Sequence, residues 1–202
     1  MPDTLSDLAI AGFEPFTTID FPGRLAAIVF LQGCPWRCVY CHNPHMQAFM
    51  RGRLSWDTIE AKLAERKGFI DGVVFSGGEP TAQPSLASAL ERVRALGLAT
   101  GLHTNGMFPE RLEALMPLLD WVGLDIKAPL DERYDATTCV KNSAASVLQS
   151  LKILLGAGIP LQIRTTVDPQ LLSEDDLRDL AKQLAALGAP PTLIQARRPL
   201  KS

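Results

Sequence analysis

The chain has 202 residues, and 20 Lys or Arg side chains against 22 Asp or Glu side chains give a formal net charge of −2. This near-neutral balance supplies no broad positive field, so neither nucleic acid nor an anionic membrane is an expected partner. A hydrophobic fraction of 47% and a charged fraction of 21% are typical of a globular protein, and we expect a single domain over residues 1–202.

Residues 1–24 are predicted to be an N-terminal lead-in to the first strand. The first seven residues contain two Asp and no Lys or Arg, unlike the basic start of a secretory signal. No apolar run approaches the roughly eighteen residues that a membrane span needs. These features predict a cytoplasmic protein whose four cysteines stay reduced.

Apolar runs and amphipathic segments then alternate along the chain. Continuous apolar runs predict six strands, over 25–31, 72–75, 98–103, 121–126, 160–167 and 192–196. Helical spacing of apolar residues predicts five helices, over 55–68, 84–96, 109–116, 143–155 and 173–187. Ser173 and Asp176 have the spacing of a capping pair at the start of the last helix. A short basic tail, 197–202, follows the last strand.

Alternating strands and helices predict an α/β fold with parallel strands and right-handed crossovers. A complete eight-stranded barrel typically needs about 250 residues, so the chain is too short for one. We therefore expect a partial, open parallel β/α barrel of about six strands, with a doubly wound sheet as the alternative. In both architectures the chemistry lies at the C-terminal ends of the strands.

Three cysteines, Cys34, Cys38 and Cys41, lie within eight residues directly after the first predicted strand. Four interpretations are open: ordinary buried thiols, a Cys3His zinc site that includes His42, covalent haem attachment through the C-x-x-C-H pattern, and an iron-sulfur cluster. Adjacent ligands at 41 and 42 make tetrahedral zinc awkward, and haem attachment usually accompanies export. Three thiolates on a cluster would leave one iron open to bind a small molecule.

The spacing C-x3-C-x2-C, with Tyr40 before the last Cys, resembles the signature of radical S-adenosylmethionine (SAM) enzymes. A second match follows the second predicted strand, where Ser76-Gly77-Gly78-Glu79-Pro80 is similar to the GGE(P) motif of that superfamily. The resemblance implies the radical SAM type of open barrel, a 4Fe-4S cluster on the three cysteines, and SAM as the second cofactor. No side chain beyond these cluster ligands is expected to act as a catalyst.

SAM carries an ammonium, a carboxylate, a sulfonium and a nucleoside, so its site must satisfy several kinds of polar group. Gly77 and Gly78 allow close backbone approach to the ammonium, and Glu79 either fixes the turn or supplies charge. Asn105 lies in an H-T-N-G stretch that resembles the (D/H)TNG of activases, with His103 where related activases have Asp. The residues expected to bind SAM or support its site are Tyr40, His42, Gly77, Gly78, Glu79, Pro80, Asn105, Asp125, Ile126, Lys127 and Arg164.

The pattern T-x-x-D-F-P-G at 17–23, followed by V-F-x-Q-G-C at 29–34, narrows the resemblance. It is most similar to activating proteins of anaerobic ribonucleoside-triphosphate reductase, and next to those of pyruvate formate-lyase. Such an activase cleaves SAM reductively and generates a glycyl radical on its partner enzyme, with a flavodoxin or ferredoxin as electron donor.

Two other functions remain open. One is a small-molecule radical SAM enzyme resembling 7-carboxy-7-deazaguanine synthase, and the other is a zinc-binding interaction module that is not an enzyme. The fourth cysteine, Cys139, is far from the others in the sequence and is expected to be a small buried hydrophobic residue. One spare cysteine cannot build a second iron-sulfur cluster.

Overall fold

The computed structural model describes residues 5–196, which form one seven-stranded sheet. The strands lie side by side in chain order: β1 Ile10–Thr17, β2 Ala26–Leu31, β3 Gly72–Gly77, β4 Ala99–Thr104, β5 Trp121–Asp125, β6 Leu161–Val167 and β7 Leu193–Ala196. β1 pairs antiparallel with β2, and every later pair is parallel. A doubly wound sheet would reverse its strand order at a switch point, so this sequential order identifies an open partial barrel.

Six helices connect the parallel strands. They are α1 Trp56–Glu65, α2 Leu86–Ala95, α3 Pro109–Leu115, α4 Glu132–Thr138, α5 Ser143–Ala157 and α6 Glu174–Ala186. The predicted capping pair is confirmed, because the Ser173 hydroxyl accepts from the backbone N–H of Asp176 and the Asp176 carboxylate accepts from the backbone N–H of Ser173. No helix between residues 5 and 196 combines the length and apolarity of a membrane span.

The structure has one more strand and one more helix than predicted. β1 lies inside the predicted lead-in, where Gly12, Pro15 and two register shifts hide the usual alternation of a strand. Pro is tolerated there because β1 is an edge strand. α4 was missed because it has only seven residues, mostly polar, and begins at an Asp131 cap. The predicted basic tail, 197–202, lies outside the described residues.

Successive strand residues face opposite sides of the sheet, and each side has its own apolar cluster. The large core lies on the helix side and includes Val73 and Phe75 of β3. The small cluster on the inner side of the barrel contains Phe21, Ala26, Val74 and Trp121. Phe21 comes from the lead-in and stacks on Trp121, with 5.5 Å between ring centroids. The lead-in therefore fills part of the barrel interior.

Candidate cofactor site

The segment between β2 and α1 carries the three cysteines across the C-terminal edge of the sheet. Its start is fixed by backbone hydrogen bonds from Gly33 to Met46 (2.8 Å) and from Cys34 to Gln47 (3.0 Å). The backbone N–H groups of Arg37 and Val39 donate to carbonyls at the end of α4. The helix that the sequence did not reveal thus supports the cysteine segment from the outside.

Cys34, Cys38 and Cys41 line one cavity, which we call the thiol cavity. Burial, together with the nearby Glu79 carboxylate, raises the pKa of the Cys34 thiol to about 12. Burial also raises the pKa of Cys38, although Lys127 opposes that effect. The raised pKa values favour the protonated thiol at Cys34 and Cys38. The positive charge of a bound metal group would be needed to deprotonate them.

The residues of the thiol cavity fit an iron-sulfur cluster. Trp36 lies between the first two cysteines, lines the cavity and is fully buried. Its indole nitrogen is the only buried side-chain nitrogen or oxygen in the described part of the chain that lacks a hydrogen-bond partner. A buried N–H normally has an acceptor. Thiolate or sulfide sulfur next to this side chain would provide one.

Neither the Cys3His set considered from the sequence nor the three cysteines alone are drawn together around one point in the described part of this structure. Across residues 5–196, no three His, Cys, Asp or Glu side chains are grouped so as to hold a single metal ion. A tetrahedral Cys3His site on Cys34, Cys38, Cys41 and His42 would require such a group.

The end of β3 forms the wall of the thiol cavity beside the cysteine segment. The Glu79 backbone N–H donates to the Gly33 carbonyl at 2.8 Å, which ties the two segments together. A Cβ added at Gly78 would lie 2.2 Å from that carbonyl oxygen, so only glycine permits this approach. Gly77 has a φ of +116° and would be strained with any other side chain. Gly77 and Gly78 both line the cavity, as expected.

The Glu79 side chain does not line the thiol cavity and is instead bound by neighbouring protein groups. Its carboxylate is fully buried and accepts hydrogen bonds from the backbone N–H groups of Thr81 (3.0 Å) and Asn105 (2.7 Å) and from the hydroxyls of Thr81 and Thr104. Burial raises its pKa, whereas these donors favour the ionised form. Of the two expected roles, Glu79 therefore fixes the turn: it joins the loop after β3 to the loop after β4.

The end of β4 contributes Thr104 and Asn105 to the thiol cavity. The Asn105 side chain is buried, with its amide nitrogen 3.7 Å from Cys34 Sγ and its oxygen accepting from the Met107 backbone N–H at 3.0 Å. Asn105 is thus held between the cysteine segment and the start of the next loop, with its amide directed toward a predicted cluster ligand.

We call Gly77 and Gly78 the glycine wall. The ends of β5 and β6 carry three charged residues, Asp125, Lys127 and Arg164, which we call the charge set. Asp125 lies 3.4 Å from Lys127 Nζ and 3.0 Å from an Arg164 guanidinium nitrogen. Burial alone would raise the pKa of Asp125, but Lys127 and Arg164 lower it to about 2. Burial would lower the pKa of Lys127, and the facing Asp125 carboxylate raises it instead. Both groups are therefore charged at neutral pH, and a net positive charge remains in the set.

The structure brings most of the predicted site residues together. Ten line the thiol cavity, namely Cys34, Cys38, Tyr40, Cys41, His42, Gly77, Gly78, Asn105, Asp125 and Lys127. Four do not: Glu79 and Pro80 lie behind the wall, Ile126 is buried in the large core, and Arg164 reaches the site through Asp125 and His103. The Ile126 side chain points to the opposite side of the sheet from its neighbours, so only its backbone can take part in the predicted binding of SAM.

Seven further residues line the thiol cavity: Trp36, Asn43, Gln47, Ser76, His103, Thr104 and Thr166. Two-residue periodicity could have found Thr166, because it follows Arg164 by two positions on β6. Asn43 and Gln47 depend on the path of the cysteine segment, which no local pattern defines. Cys139 was expected to be buried and is exposed at the end of α4, with φ of 58°.

Comparison with known proteins decides the family of this chain. The Radical SAM superfamily profile matches residues 28–184. The chain belongs to the radical SAM superfamily. It is a radical SAM enzyme, and its cofactors are a 4Fe-4S cluster and SAM. The predicted enzyme class, open barrel and cofactors are thereby confirmed.

Curated relatives place the chain among the radical SAM enzymes that activate glycyl-radical enzymes. A Methanocaldococcus jannaschii protein described as a glycyl-radical enzyme activating enzyme is 31% identical over 183 residues, covering 86% of this chain and 74% of that protein. The pyruvate formate-lyase-activating enzyme of Clostridium pasteurianum is 33% identical over 180 residues, covering 85% of this chain and 74% of the relative.

Solved radical SAM structures share the fold. Streptococcus suis SuiB bound to SAM superposes with a TM-score of 0.67 at 16% identity, covering 84% of this chain and 39% of that one. A domain of pyruvate-formate lyase-activating enzyme from Bacteroides vulgatus gives a TM-score of 0.52 at 24% identity, covering 61% of this chain and 77% of that domain. This chain thus spans less than half of the longer neighbour.

Proposed function

We propose that this protein is the activase of a glycyl-radical enzyme, with anaerobic ribonucleoside-triphosphate reductase as its partner. The observation that carries the proposal is the thiol cavity, which joins the three cysteines, the glycine wall and the charge set. Reductive cleavage of SAM by the bound cluster supplies the hydrogen-abstracting radical. Cys34, Cys38 and Cys41 would hold that cluster.

The remaining cavity residues match the chemical groups of SAM. Lys127 can meet the carboxylate, and Asp125 orients the Lys127 ammonium from 3.4 Å. Backbone groups at Gly77 and Gly78 can approach the SAM ammonium without a side chain between them. Asn105 would contact the ribose or the methionine part. Tyr40 and His42 would support the cluster segment, where the Tyr40 hydroxyl donates to the Lys127 carbonyl at 3.4 Å.

The choice of partner rests on the T-x-x-D-F-P-G and V-F-x-Q-G-C patterns. Pyruvate formate-lyase is the second candidate, since relatives from C. pasteurianum and Escherichia coli, at 33% and 31% identity, are named as its activating enzymes. A third candidate is a reaction on a small molecule instead of a partner protein, because a 7-carboxy-7-deazaguanine synthase from Thermococcus kodakarensis is 28% identical to this chain. A flavodoxin or ferredoxin is the proposed electron donor.

An anaerobic activation assay separates these candidates. The reconstituted protein, SAM and a reductant are mixed with anaerobic ribonucleoside-triphosphate reductase in one sample and with pyruvate formate-lyase in another, and the glycyl-radical doublet is measured by electron paramagnetic resonance. We expect the doublet only with the reductase, and its loss in Lys127→Ala. A doublet only with pyruvate formate-lyase would change the partner. No doublet with either, together with conversion of a deazapurine precursor, would overturn the activase function.

A further inference from the structure

His103 connects three segments around the thiol cavity, although no role in the proposed reaction has been assigned to it. It lies at the end of β4 and is only 7% exposed. Its Nδ1 lies 3.3 Å from the Ser76 hydroxyl at the end of β3. Its Nε2 lies 3.0 Å from the Asp20 carbonyl oxygen in the lead-in and 3.0 Å from an Arg164 guanidinium nitrogen of β6.

The two neighbours of Nε2 make opposite demands on it. A carbonyl oxygen can only accept a hydrogen bond, and a guanidinium can only donate one. A neutral imidazole therefore satisfies Asp20 when Nε2 carries the proton, or Arg164 when Nδ1 carries it. The Ser76 hydroxyl can pair with Nδ1 in either case, because it can both donate and accept. Burial and the Arg164 charge lower the pKa of His103 to about 4, so the ring is neutral at physiological pH.

Access to water favours pairing with Arg164. The Arg164 side chain is 11% exposed, and its other two guanidine nitrogens already bind Asp125 Oδ1. Asp20 is only half-buried, so water can reach this part of the lead-in. An unpaired buried donor costs more than a carbonyl that water can satisfy. Nδ1 should thus donate to Ser76 while Nε2 accepts from Arg164.

The His103 and Arg164 pair is held tightly from the β5 side. A Cβ added at Gly123 would lie 3.1 Å from the imidazole and 3.3 Å from the guanidinium carbon, so both side chains pack on this backbone. The Trp121 ring meets the imidazole edge-on, with 5.3 Å between centroids. The imidazole therefore has little room to turn away from Arg164.

We infer that His103 is a positioning residue that fixes Arg164 and, through it, the Asp125 and Lys127 charge set that binds SAM. His103 holds one side of the guanidinium and Asp125 holds the other. Without the imidazole nitrogen, Arg164 is free to turn, and Asp125 loses the fixed partner that keeps it oriented toward Lys127. This inference rests on the proposed binding of SAM in the thiol cavity.

A double-mutant cycle tests whether His103 acts through Arg164. SAM affinity is measured by calorimetry on the cluster-loaded, oxidised protein, for the wild type, His103→Phe, Arg164→Lys and the double variant. Phe keeps a ring against Trp121 but has no nitrogen. We expect His103→Phe to weaken SAM binding about tenfold in the wild-type background and less than about twofold in the Arg164→Lys background. His103→Gln, which retains an acceptor, should restore most of the affinity.

Wild-type affinity in His103→Phe, or an equal loss in both backgrounds, would overturn the inference. Iron content and circular dichroism verify that each variant folds and loads, and His103→Gln provides the comparison if the Phe variant does not. If the wild type itself binds no SAM, the proposed function fails. If the wild type binds SAM and His103→Phe binds it with the same affinity, the positioning role of His103 fails and the proposed function is unaffected.

The tautomer provides a readout that is independent of SAM. The chain has three histidines, so selective ¹⁵N labelling gives a simple spectrum that single His variants assign. We expect the proton of His103 on Nδ1, and expect the Nε2 resonance to shift in Arg164→Lys. A proton on Nε2 would show that the ring pairs with Asp20 and would overturn the pairing with Arg164.

Discussion

At the scale of single residues, Glu79 shows how a motif side chain can matter without contacting a ligand. Each of its two oxygens faces a backbone N–H, from Thr81 or Asn105, and such a group can only donate. The carboxylate thereby holds the glycine wall and the loop after β4 in register. The motif left two roles open for Glu79, and it could not decide between them because the turn after β3 determines which way the side chain points.

Glu79→Gln should destabilise the protein, because the amide NH₂ must face one of these two backbone donors. A buried donor left without an acceptor costs about 2 kcal/mol, and denaturant unfolding would measure that loss. Glu91→Gln is the matched control, since Glu91 is exposed on α2 and should change stability by less than about 0.5 kcal/mol. Equal stability of the Glu79→Gln variant and the wild type would contradict the structural role.

The sequence predicted which residues of the charge set lie at the site, but it did not predict how Arg164 is paired. Asp125 and Lys127 were predicted because Asp125-Ile126-Lys127, at the end of a predicted strand, resembles the D-(L/I)-K stretch of activases, and both line the thiol cavity. Ile126 lies between them and points to the large core, as strand alternation requires. The pairing of Arg164 with His103 depends on two strands that are 61 residues apart, so only the folded structure reveals it.

At the scale of elements, close contact between the β3 end and the cysteine segment depends on glycine. Gly78→Ala would place a methyl group 2.2 Å from the Gly33 carbonyl, so the two segments must separate. We expect a loss of about 3 kcal/mol in unfolding free energy and a lower iron content after reconstitution. Denaturant unfolding and iron analysis test both expectations.

Gly156→Ala is the control for that substitution. Gly156 lies within α5, and an added Cβ would meet nothing within 4 Å. Ala at this position in the last turn of α5 should stabilise the protein by up to about 0.5 kcal/mol, with no change in iron content. If Gly78→Ala behaved like Gly156→Ala, the close packing of the glycine wall would be wrong.

Most elements were predictable because their signals are local. Six strands followed from apolar runs, and the α6 start followed from the Ser173 and Asp176 pair. β1 was not, since Gly12 and Pro15 interrupt its pattern and its hydrogen bonds come from β2. α4 depends on tertiary packing: Tyr134 is fully buried and meets Trp36 edge-on, with 5.8 Å between ring centroids.

At the scale of the whole molecule, the sequential strand order places the ends of five parallel strands, β2 to β6, around the thiol cavity. An open barrel leaves this edge accessible from one side, which suits a loop of a protein partner. The lead-in fills the inner side through Phe21, and its Asp20 carbonyl meets His103. The lead-in, which carries the T-x-x-D-F-P-G pattern, thus borders the thiol cavity.

The most direct test of the account is electron paramagnetic resonance of the anaerobically reconstituted protein, reduced with dithionite, with and without SAM. Cys38→Ala is the control, because it removes one of the three proposed cluster ligands. The account predicts a reduced 4Fe-4S signal that changes when SAM is added and is absent in the variant. Stoichiometric zinc and no such signal would contradict it.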